Sequence, residues 1–196
     1  MKNNMNTINM LSTAHKATKA GREESYEKRD DTPIREKKHF IVRVGDGYNF
    51  RNSNFDFWGM KSNNGNVKTI LKKNLIDGDI LWFATSKIGG NKFLGVATYT
   101  HLFDRADEPL FDHNTISNKE QGWTGDDDWT LGVHYTNLYK LEHVDYNVCF
   151  QGGQSFIKRE QYEAGCARRG KEDAIDLITE YDKIIKYIKP EKPRKI

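Results

Sequence analysis

Three of the four tryptophans, Trp58, Trp123 and Trp129, each adjoin a glycine or an aspartate in segments typical of turns and loops. A tryptophan in a loop can stack on the flat face of a nucleobase, which contributes about 1 to 3 kcal/mol per base. A methyl group on the base would add a small apolar surface that two or three indole rings can enclose. We therefore predict a nucleobase pocket with these three rings as walls. The alternative is that the rings are hydrophobic plugs of a small barrel.

A base pocket also needs polar groups, because the edge of a base carries hydrogen-bond donors and acceptors. Short polar side chains follow Trp58 within a few residues, and others lie in a second segment after Trp82. The predicted base-binding residues are Trp58, Trp123, Trp129, Ser62, Asn63, Asn64, Thr85 and Ser86.

Basic residues flank these segments and could follow the phosphate backbone of a nucleic acid. Each such contact would be independent of base sequence and sensitive to salt. A solvated helix face and loop would carry the same residues. The predicted phosphate-binding residues are Arg43, Lys61, Lys68, Lys72, Lys87 and Lys92. A second basic cluster, with arginines suited to bidentate phosphate contacts, comprises Lys158, Arg159, Arg168 and Arg169.

The patterns typical of catalysis and of metal binding are weak in this sequence. The histidines lack the close pairing of a helix-borne zinc site, and the distant Cys149 and Cys166 do not complete one. The run Asp126-Asp127-Asp128 could hold a hard cation, although an acidic turn is its commoner meaning. Nothing in the sequence supplies a base for a cysteine nucleophile. We predict no catalytic residue, no metal and no cofactor. The metal-ligand candidates considered are His101, Asp104, His113, His134 and His143.

The bulk charge allows an anionic partner without requiring one, since 31 Lys and Arg stand against 28 Asp and Glu, a net charge of +3. Two cysteines are too few for a disulfide framework, and no apolar run approaches the roughly 18 residues of a transmembrane helix. No signal-peptide pattern opens the chain. We expect an intracellular protein of the cytoplasm or nucleus, or of a virion, since the high Asn and Lys content is typical of AT-rich genomes such as those of several viruses.

The chain divides by composition into three parts. Residues 1–36 are rich in Asn, Lys, Arg, Glu and Thr and have too little apolar content to order themselves, which predicts a flexible N-terminal arm. Its mixed charges favour a solvated arm over one that contacts nucleic acid. Residues 37–189 can bury one core of ordinary size and are predicted to form a single domain. Residues 190–196 form a short basic tail that we expect to be loose.

The middle of the domain is predicted to be mainly strands and its end helices. β-Branched and aromatic runs between turn residues predict strands, and apolar residues at helical spacing predict helices. Together they predict an α+β fold: a small, strongly curved β-barrel with an inserted helix and C-terminal helices. The predicted strands are 39–44, 80–85, 93–99, 129–135 and 138–141, the second and third forming a hairpin, and the predicted helices are 67–76, 156–169 and 171–189.

The order of these elements and several motifs resemble the PUA-like barrels of the YTH and EVE families, over roughly residues 38–142. Phe57-Trp58, followed by Gly65-Asn66, resembles the YTH loop whose tryptophan forms one wall of an aromatic cage. Trp123 and Trp129 resemble the pair that closes that cage. The segments with parallels in the EVE family are Trp58-Gly59-Met60-Lys61-Ser62, Trp82-Phe83-Ala84-Thr85-Ser86 and Asp128-Trp129.

YTH domains recognise methylated adenine in RNA, and EVE domains are linked to modified bases in DNA or RNA. The resemblance therefore implies a reader of a modified base in single-stranded RNA or in a flipped-out DNA nucleotide. Two alternatives stay open: a structural or packaging protein that uses the same fold without base readout, and a small hydrolase like the ASCH relatives of this barrel. An open pocket lined by Trp58 and at least one of Trp123 and Trp129 would favour the reader, whereas closed packing would argue against the reader and for the packaging protein.

Overall fold

The computed structural model describes residues 35–60, 73–100, 117–125, 131–141, 155–170 and 175–194. By its internal contacts the chain forms two units, residues 1–35 and 36–196, and every element below lies in the second. The predicted arm falls almost entirely outside the described residues, so the division into arm, domain and tail stays a prediction. The predicted helix 67–76 also lies mostly outside them, but Lys73 and Asn74 are helical and the helix ends there.

Six strands form one curled, mixed sheet in the order β2-β5-β4-β3-β1-β6. Neighbouring strands are antiparallel except β1 and β3, which are parallel. The predicted α+β fold with a strongly curved sheet is thereby confirmed. The strands are β1 His39–Arg43, β2 Phe57–Met60, β3 Ile80–Ala84, β4 Phe93–Tyr99, β5 Leu131–Lys140 and β6 Phe156–Lys158. The helices are α1 Tyr48–Arg51, α2 Asn118–Gln121, α3 Arg159–Ala167 and α4 Leu177–Tyr187, with a 3-10 turn at Lys87–Gly89.

The predicted hairpin of strands 80–85 and 93–99 is confirmed as β3 and β4. The predicted strand pair 129–135 and 138–141 is wrong, because the segment from Leu131 to Lys140 is one strand. Its first part pairs with β2 and its second part with β4. Asn137, with φ 50°, lies at an irregularity in the β4–β5 register, so the Thr-Asn pair that resembles a turn is a bulge that bends one continuous strand.

The C-terminal helices are shorter than predicted. Phe156–Lys158 is not the start of a helix but strand β6, which pairs with β1, and α3 begins at Arg159. Helix α4 begins at Leu177, because the carboxylate of Asp176 accepts hydrogen bonds from the backbone N–H groups of Ile178 and Thr179. It ends at Tyr187, ahead of Pro190, which disfavours helical geometry at the residue before it.

The two faces of the sheet carry separate hydrophobic clusters. On the helix-covered face, inward side chains of β1, β3 and β4 pack against α3 and α4. The opposite face, which we call the aromatic face, is covered by α1, β2 and the segment around Trp123. Members of the helix-covered cluster include Ile41, Ile80, Trp82, Phe93, Tyr162, Cys166, Leu177, Tyr181 and Ile184. Members of the aromatic cluster include Phe40, Phe50, Phe57, Trp58, Phe83, Trp123, Val133 and Tyr135.

Candidate functional site

Trp58 and Trp123 lie against each other on the aromatic face. Their ring centroids are 4.7 Å apart with the planes tilted by 52°, and the two residues are only 7% and 6% exposed. A base held between two rings needs ring planes roughly 7 Å apart, since each stacking contact takes about 3.5 Å. The pair is therefore closed in this structure, and a base could enter only if the rings separated.

Trp58 is positioned by β2, the edge strand of the sheet, and not by a loop as its sequence context predicts. The strand pairs with β5, placing Trp58 opposite Val133 and Gly59 opposite Gly132. The ring of Phe57 lies over Gly132, where a Cβ would overlap it, so this position requires glycine. Phe57 in turn stacks on Trp123, at 6.4 Å between centroids and 24° between planes. The absent side chain at Gly132 thus sets how closely β2 and the Trp123 segment approach.

Trp123 is held by hydrogen bonds to the segment that precedes β2. Its indole Nε1–H donates to Ser53 Oγ at 2.8 Å, and the Ser53 hydroxyl donates to the carbonyl of Asn49 at 2.9 Å. The side chain of Asn49 also accepts from the backbone N–H of Thr124 at 3.0 Å. Since the indole N–H is satisfied inside the protein, Trp123 presents only the apolar surface of its ring for further contact.

The buried amide of Gln121 ties the same two segments together. Its Nε2 donates to the carbonyl of Phe57 at 2.9 Å, and its Oε1 accepts from the backbone N–H of Phe55 at 2.8 Å. Gln121 ends helix α2, which is closed at its start by a capping box between Ser117 and Glu120. Hydrogen bonds from Ser117 lower the pKa of the Glu120 carboxyl. We call residues 117–125 the latch, because they fix Trp123 to the strand that carries Trp58.

Phe50 on α1 forms the inner wall of the tryptophan pair. Its ring stacks on Phe83 of β3 at 4.5 Å and meets Trp58 edge-on at 6.2 Å. Helix α1 follows Gly47, which has φ 91° and no room for a side chain, since a Cβ there would lie 2.5 Å from Leu94 Cδ1. The tight Gly45-Asp46-Gly47 turn therefore positions α1 so that the Phe50 ring packs against Trp58.

An ion pair lies beside Phe50. The Arg194 guanidinium approaches the Asp56 carboxylate at 3.8 Å, and the two side chains are 12% and 14% exposed. Burial raises the pKa of Asp56, while the hydrogen bond from the Arg194 backbone and the charge of its guanidinium oppose that rise. The tail predicted to be loose is thus held as far as Arg194, because its arginine stabilises an otherwise costly buried carboxylate.

Among the predicted base-binding residues, the structure brings Trp58 and Trp123 together. Thr85 is buried in the β3–β4 turn, where its hydroxyl donates to the Gly89 carbonyl at 2.9 Å and accepts from the Lys92 backbone at 2.8 Å. Ser86 belongs to the same turn and donates its backbone N–H to the Gly45 carbonyl at 2.6 Å. The remaining predicted members, Ser62, Asn63, Asn64 and Trp129, lie outside the described residues.

The predicted phosphate contacts are dispersed. Lys87 and Lys92 are exposed on the β3–β4 turn, and Arg43 is half-buried at the end of β1, where burial lowers its pKa. Lys61, Lys68 and Lys72 lie outside the described residues. In the second basic cluster, Lys158 donates to Asn74 Oδ1 at 2.9 Å. Arg159 pairs with Glu163 at 3.4 Å. The other two members, Arg168 and Arg169, are exposed.

Sequence reasoning missed several residues that build the pair: Phe50, Ser53, Gln121, Gly132 and Arg194. One signal was available, since the spacing Ser117-x-x-Glu120 is typical of a helix start and would have placed the latch. The others act through tertiary contacts that no local pattern records. Among the residues that the structure describes, no group of three acidic, histidine or cysteine side chains could hold a metal ion. No helix in that part of the chain is long and apolar enough to cross a membrane.

The chain is similar to three solved YTH domains. The YTH domain of Pho92 in complex with m6A has 12% identity and a TM-score of 0.39, over 74% of this chain and 90% of that one. The CPSF4-YTH domain of Toxoplasma in apo form has 15% identity and a TM-score of 0.36, and the match covers 75% of this chain and 94% of that domain. The MmI1 YTH domain has 9% identity and a TM-score of 0.33, and the match covers 68% of this chain and 96% of that domain. No family model and no curated protein matches the chain.

Proposed function

We propose that this protein is a nucleic-acid-binding reader that accommodates a methylated base between Trp58 and Trp123. The observation that carries the proposal is the pairing of these two rings, one on an edge strand and one on a latch, at 4.7 Å. Two large aromatic faces brought together from separate segments can enclose the apolar methyl group of a modified base.

The energies are compatible with opening of the pair. Separating the rings loses one aromatic contact of about 0.5 to 1.5 kcal/mol beyond the area it buries. Stacking a base on each face returns about 1 to 3 kcal/mol per stack. The indole N–H of Trp123 keeps its bond to Ser53 meanwhile, so entry of a base would not leave that donor unsatisfied. The remaining requirement is a base already out of its stack, as in single-stranded RNA or a flipped-out DNA nucleotide.

Single-stranded RNA containing N6-methyladenosine is the first probe, because the motifs around Trp58 and Trp123 resemble those of YTH domains. Binding to it and to the same unmodified RNA should be measured for the native protein, Trp58→Ala and Trp123→Ala. Each variant should lose about 1 to 3 kcal/mol of affinity for the modified RNA and much less for the unmodified one. Tyr187→Ala is the matched control, since this exposed ring lies on α4 at the other face.

The closed packing of the pair favours a second candidate, a structural or packaging protein that binds nucleic acid through its basic residues alone. Such a protein would bind modified and unmodified RNA equally, and its affinity would fall steeply with salt. The same titration, repeated at several salt concentrations, separates the two candidates. Equal affinities for both RNAs, and an equal loss for both in Trp58→Ala, would reject the reader. A difference between the two RNAs that disappears in Trp58→Ala would reject the packaging protein.

A further inference from the structure

The segment Glu191–Arg194, which we call the strap, runs alongside β5 after α4 ends. The backbone N–H of Glu191 donates to the carbonyl of Leu138 on β5 at 2.6 Å. The carboxylate of Glu191 pairs with Lys140 on the same strand at 3.0 Å. These contacts fix the direction of the strap and carry Arg194 to the aromatic face.

Arg194 contacts the aromatic face through both its backbone and its side chain. Its backbone N–H donates to Asp56 Oδ2 at 3.1 Å, and Nη1 donates to the carbonyl of Phe50 at 3.2 Å and to the Tyr135 hydroxyl at 3.4 Å. The guanidinium carbon lies 5.6 Å from the centre of the Phe50 ring. One side chain thus joins three elements, namely α1, β5 and the start of β2.

Two of those elements position Trp58. Asp56 stands two residues before Trp58 and accepts the backbone N–H of Tyr135 through its carbonyl at 3.1 Å, at the point where β2 joins β5. Phe50 forms the edge-on contact with the Trp58 ring. Arg194 therefore holds both the start of the strand that carries Trp58 and the Phe50 ring that packs against Trp58. Its contacts to these elements are indirect with respect to the two tryptophans.

The attachment of the strap depends mainly on polar contacts, since three of its four residues are charged and the fourth is proline. The Asp56 carboxylate is buried enough that its pKa is raised, and Arg194 is the basic partner that opposes this. Neutralising the guanidinium would remove the charge that compensates the buried carboxylate and loosen the strap together with the start of β2.

We propose that Arg194 is a positioning residue that keeps Trp58 closed against Trp123, and that release of the strap opens the pair to a methylated base. This inference rests on the proposed function. If the open form is only a small fraction of the free protein, the apparent dissociation constant is raised in proportion. Loosening the strap then increases the open fraction and strengthens binding of the modified base, whereas a strap that only stabilises the fold would leave the affinity unchanged or lower.

The test compares Arg194→Gln with Lys192→Gln, an exposed position in the same strap. Acrylamide quenching of tryptophan fluorescence is measured in the free protein, each variant being made also in a Trp58→Phe background so that the Trp58 contribution is obtained by difference. Arg194→Gln should raise the quenching constant of Trp58 by about twofold or more, and Lys192→Gln should not, because Arg194 is the strap residue with described contacts to Phe50 and Asp56. Binding of N6-methyladenosine RNA should tighten by about three- to tenfold in Arg194→Gln.

Since Arg194→Gln leaves the Asp56 carboxylate without its cation, the double variant Asp56→Asn/Arg194→Gln keeps the test valid if the single variant unfolds. Only a variant that gives the circular dichroism spectrum of the native protein enters the comparison. Quenching of Trp58 equal to that in Lys192→Gln, or increased quenching with weaker binding of the modified RNA, would overturn the inference. Failure of every form to prefer the modified RNA would instead reject the proposed function, and the quenching result alone would then decide whether the strap closes the pair.

Discussion

The two faces of the sheet are closed by different means. On the helix-covered face, α3 and α4 lay regular apolar stripes over Ile41, Trp82 and their neighbours, and Trp82 is fully buried. Among the described residues, the aromatic face is covered by four-residue helices, an edge strand, the latch and the strap. Its rings pack within the aromatic cluster, and side-chain hydrogen bonds and the Arg194–Asp56 ion pair also hold the segments that carry them.

This difference implies that the helix-covered face contributes most to the stability of the fold, whereas the aromatic face can open locally. Helices packed on a sheet can leave only if the protein unfolds in large part, whereas short segments held by a few polar contacts can open locally. A binding site that must admit a base is therefore better placed on the aromatic face. Both faces contain buried tryptophans, namely Trp82 on the helix-covered face and Trp58 with Trp123 on the aromatic face. Only the second pair is proposed to bind a base, because only its supports are short segments.

Removing the fully buried tryptophan of the helix-covered face should have the largest effect on stability. Trp82→Ala should lower the free energy of unfolding by about 3 to 5 kcal/mol, since it leaves a large cavity and deprives His39 of its hydrogen-bond donor. Trp58→Ala should lower it less, because an edge strand can relax into the space. Urea denaturation of both variants measures the difference. An equal or greater loss in Trp58→Ala would contradict the contrast between the faces.

The helix-covered face should also make the protein sensitive to acid. Burial, together with the charge of Arg159, lowers the pKa of His39 from 6.5 to about 4, and Trp82 Nε1–H donates to its Nδ1 at 3.0 Å. The unfolded chain binds a proton below pH 6.5 and the folded protein does not, so stability falls as the pH is lowered from about 6.5 to about 4. The lost free energy should reach at most about 3 kcal/mol.

Urea denaturation at several pH values measures this effect, with His39→Asn as the comparison because its side-chain carbonyl can still accept a hydrogen bond. The variant should lose less stability than the native protein over the same pH range. Identical slopes for the two proteins would show that His39 is not the group responsible.

A methyl group at Gly132 should disturb the edge strand of the aromatic face. Gly132→Ala should cost about 1 to 3 kcal/mol, because the Phe57 ring must move away from Trp123 or β2 must shift on β5. Gly170→Ala is the comparison, because a Cβ there meets nothing within 4 Å and its cost reflects only the strain of a side chain at φ 61°. Thermal denaturation compares them. Loss of discrimination between modified and unmodified RNA in Gly132→Ala alone would tie this position to the site.

The smallest expected effect concerns the latch. Ser117→Ala removes the capping hydrogen bond to the Glu120 backbone and should cost about 1 kcal/mol. Ser117→Thr should restore most of it, because its hydroxyl can accept from the Glu120 backbone N–H and donate to the Glu120 carboxylate. Thermal denaturation and Trp123 quenching measure the effect. Stability unchanged in Ser117→Ala would show that α2 does not need its cap to hold Trp123.

The elements with a strong local signal could be predicted from the sequence. The β-branched run of β1 and the hairpin of β3 and β4 lie close to where the pattern places them. Strand β2 was missed because Phe57-Trp58-Gly59-Met60 lacks the polar alternation of a half-exposed strand; all four residues are buried. Residues 136 and 137 separate the two predicted strands 129–135 and 138–141, whereas in the structure Asn137 lies in a bulge within one strand, because asparagine tolerates positive φ in bulges as well as in turns.

The candidate site was predictable only in part. Aromatic residues beside turn-forming residues pointed to Trp58 and Trp123, whose meeting the structure shows. The contacts that close the pair could not be predicted, because Arg194 lies 138 positions from Asp56 in sequence. A charged strap of four residues has no periodicity that would distinguish a docked segment from a solvated one. Its position follows from a buried carboxylate that needs a cation, which becomes visible only once the fold is known.

The most direct test of the central claim uses the indole N–H groups as reporters of the two faces. In two-dimensional NMR spectra, the Nε1–H resonance of Trp82 reports on the helix-covered face and that of Trp123 on the pair, each assigned with a Trp→Phe variant. Addition of RNA containing N6-methyladenosine should shift the Trp58 and Trp123 resonances and leave that of Trp82 unchanged, whereas unmodified RNA should shift them much less. Equal shifts with both RNAs, or no shift at Trp58 and Trp123 under saturating modified RNA, would contradict the proposal that this pair receives the base.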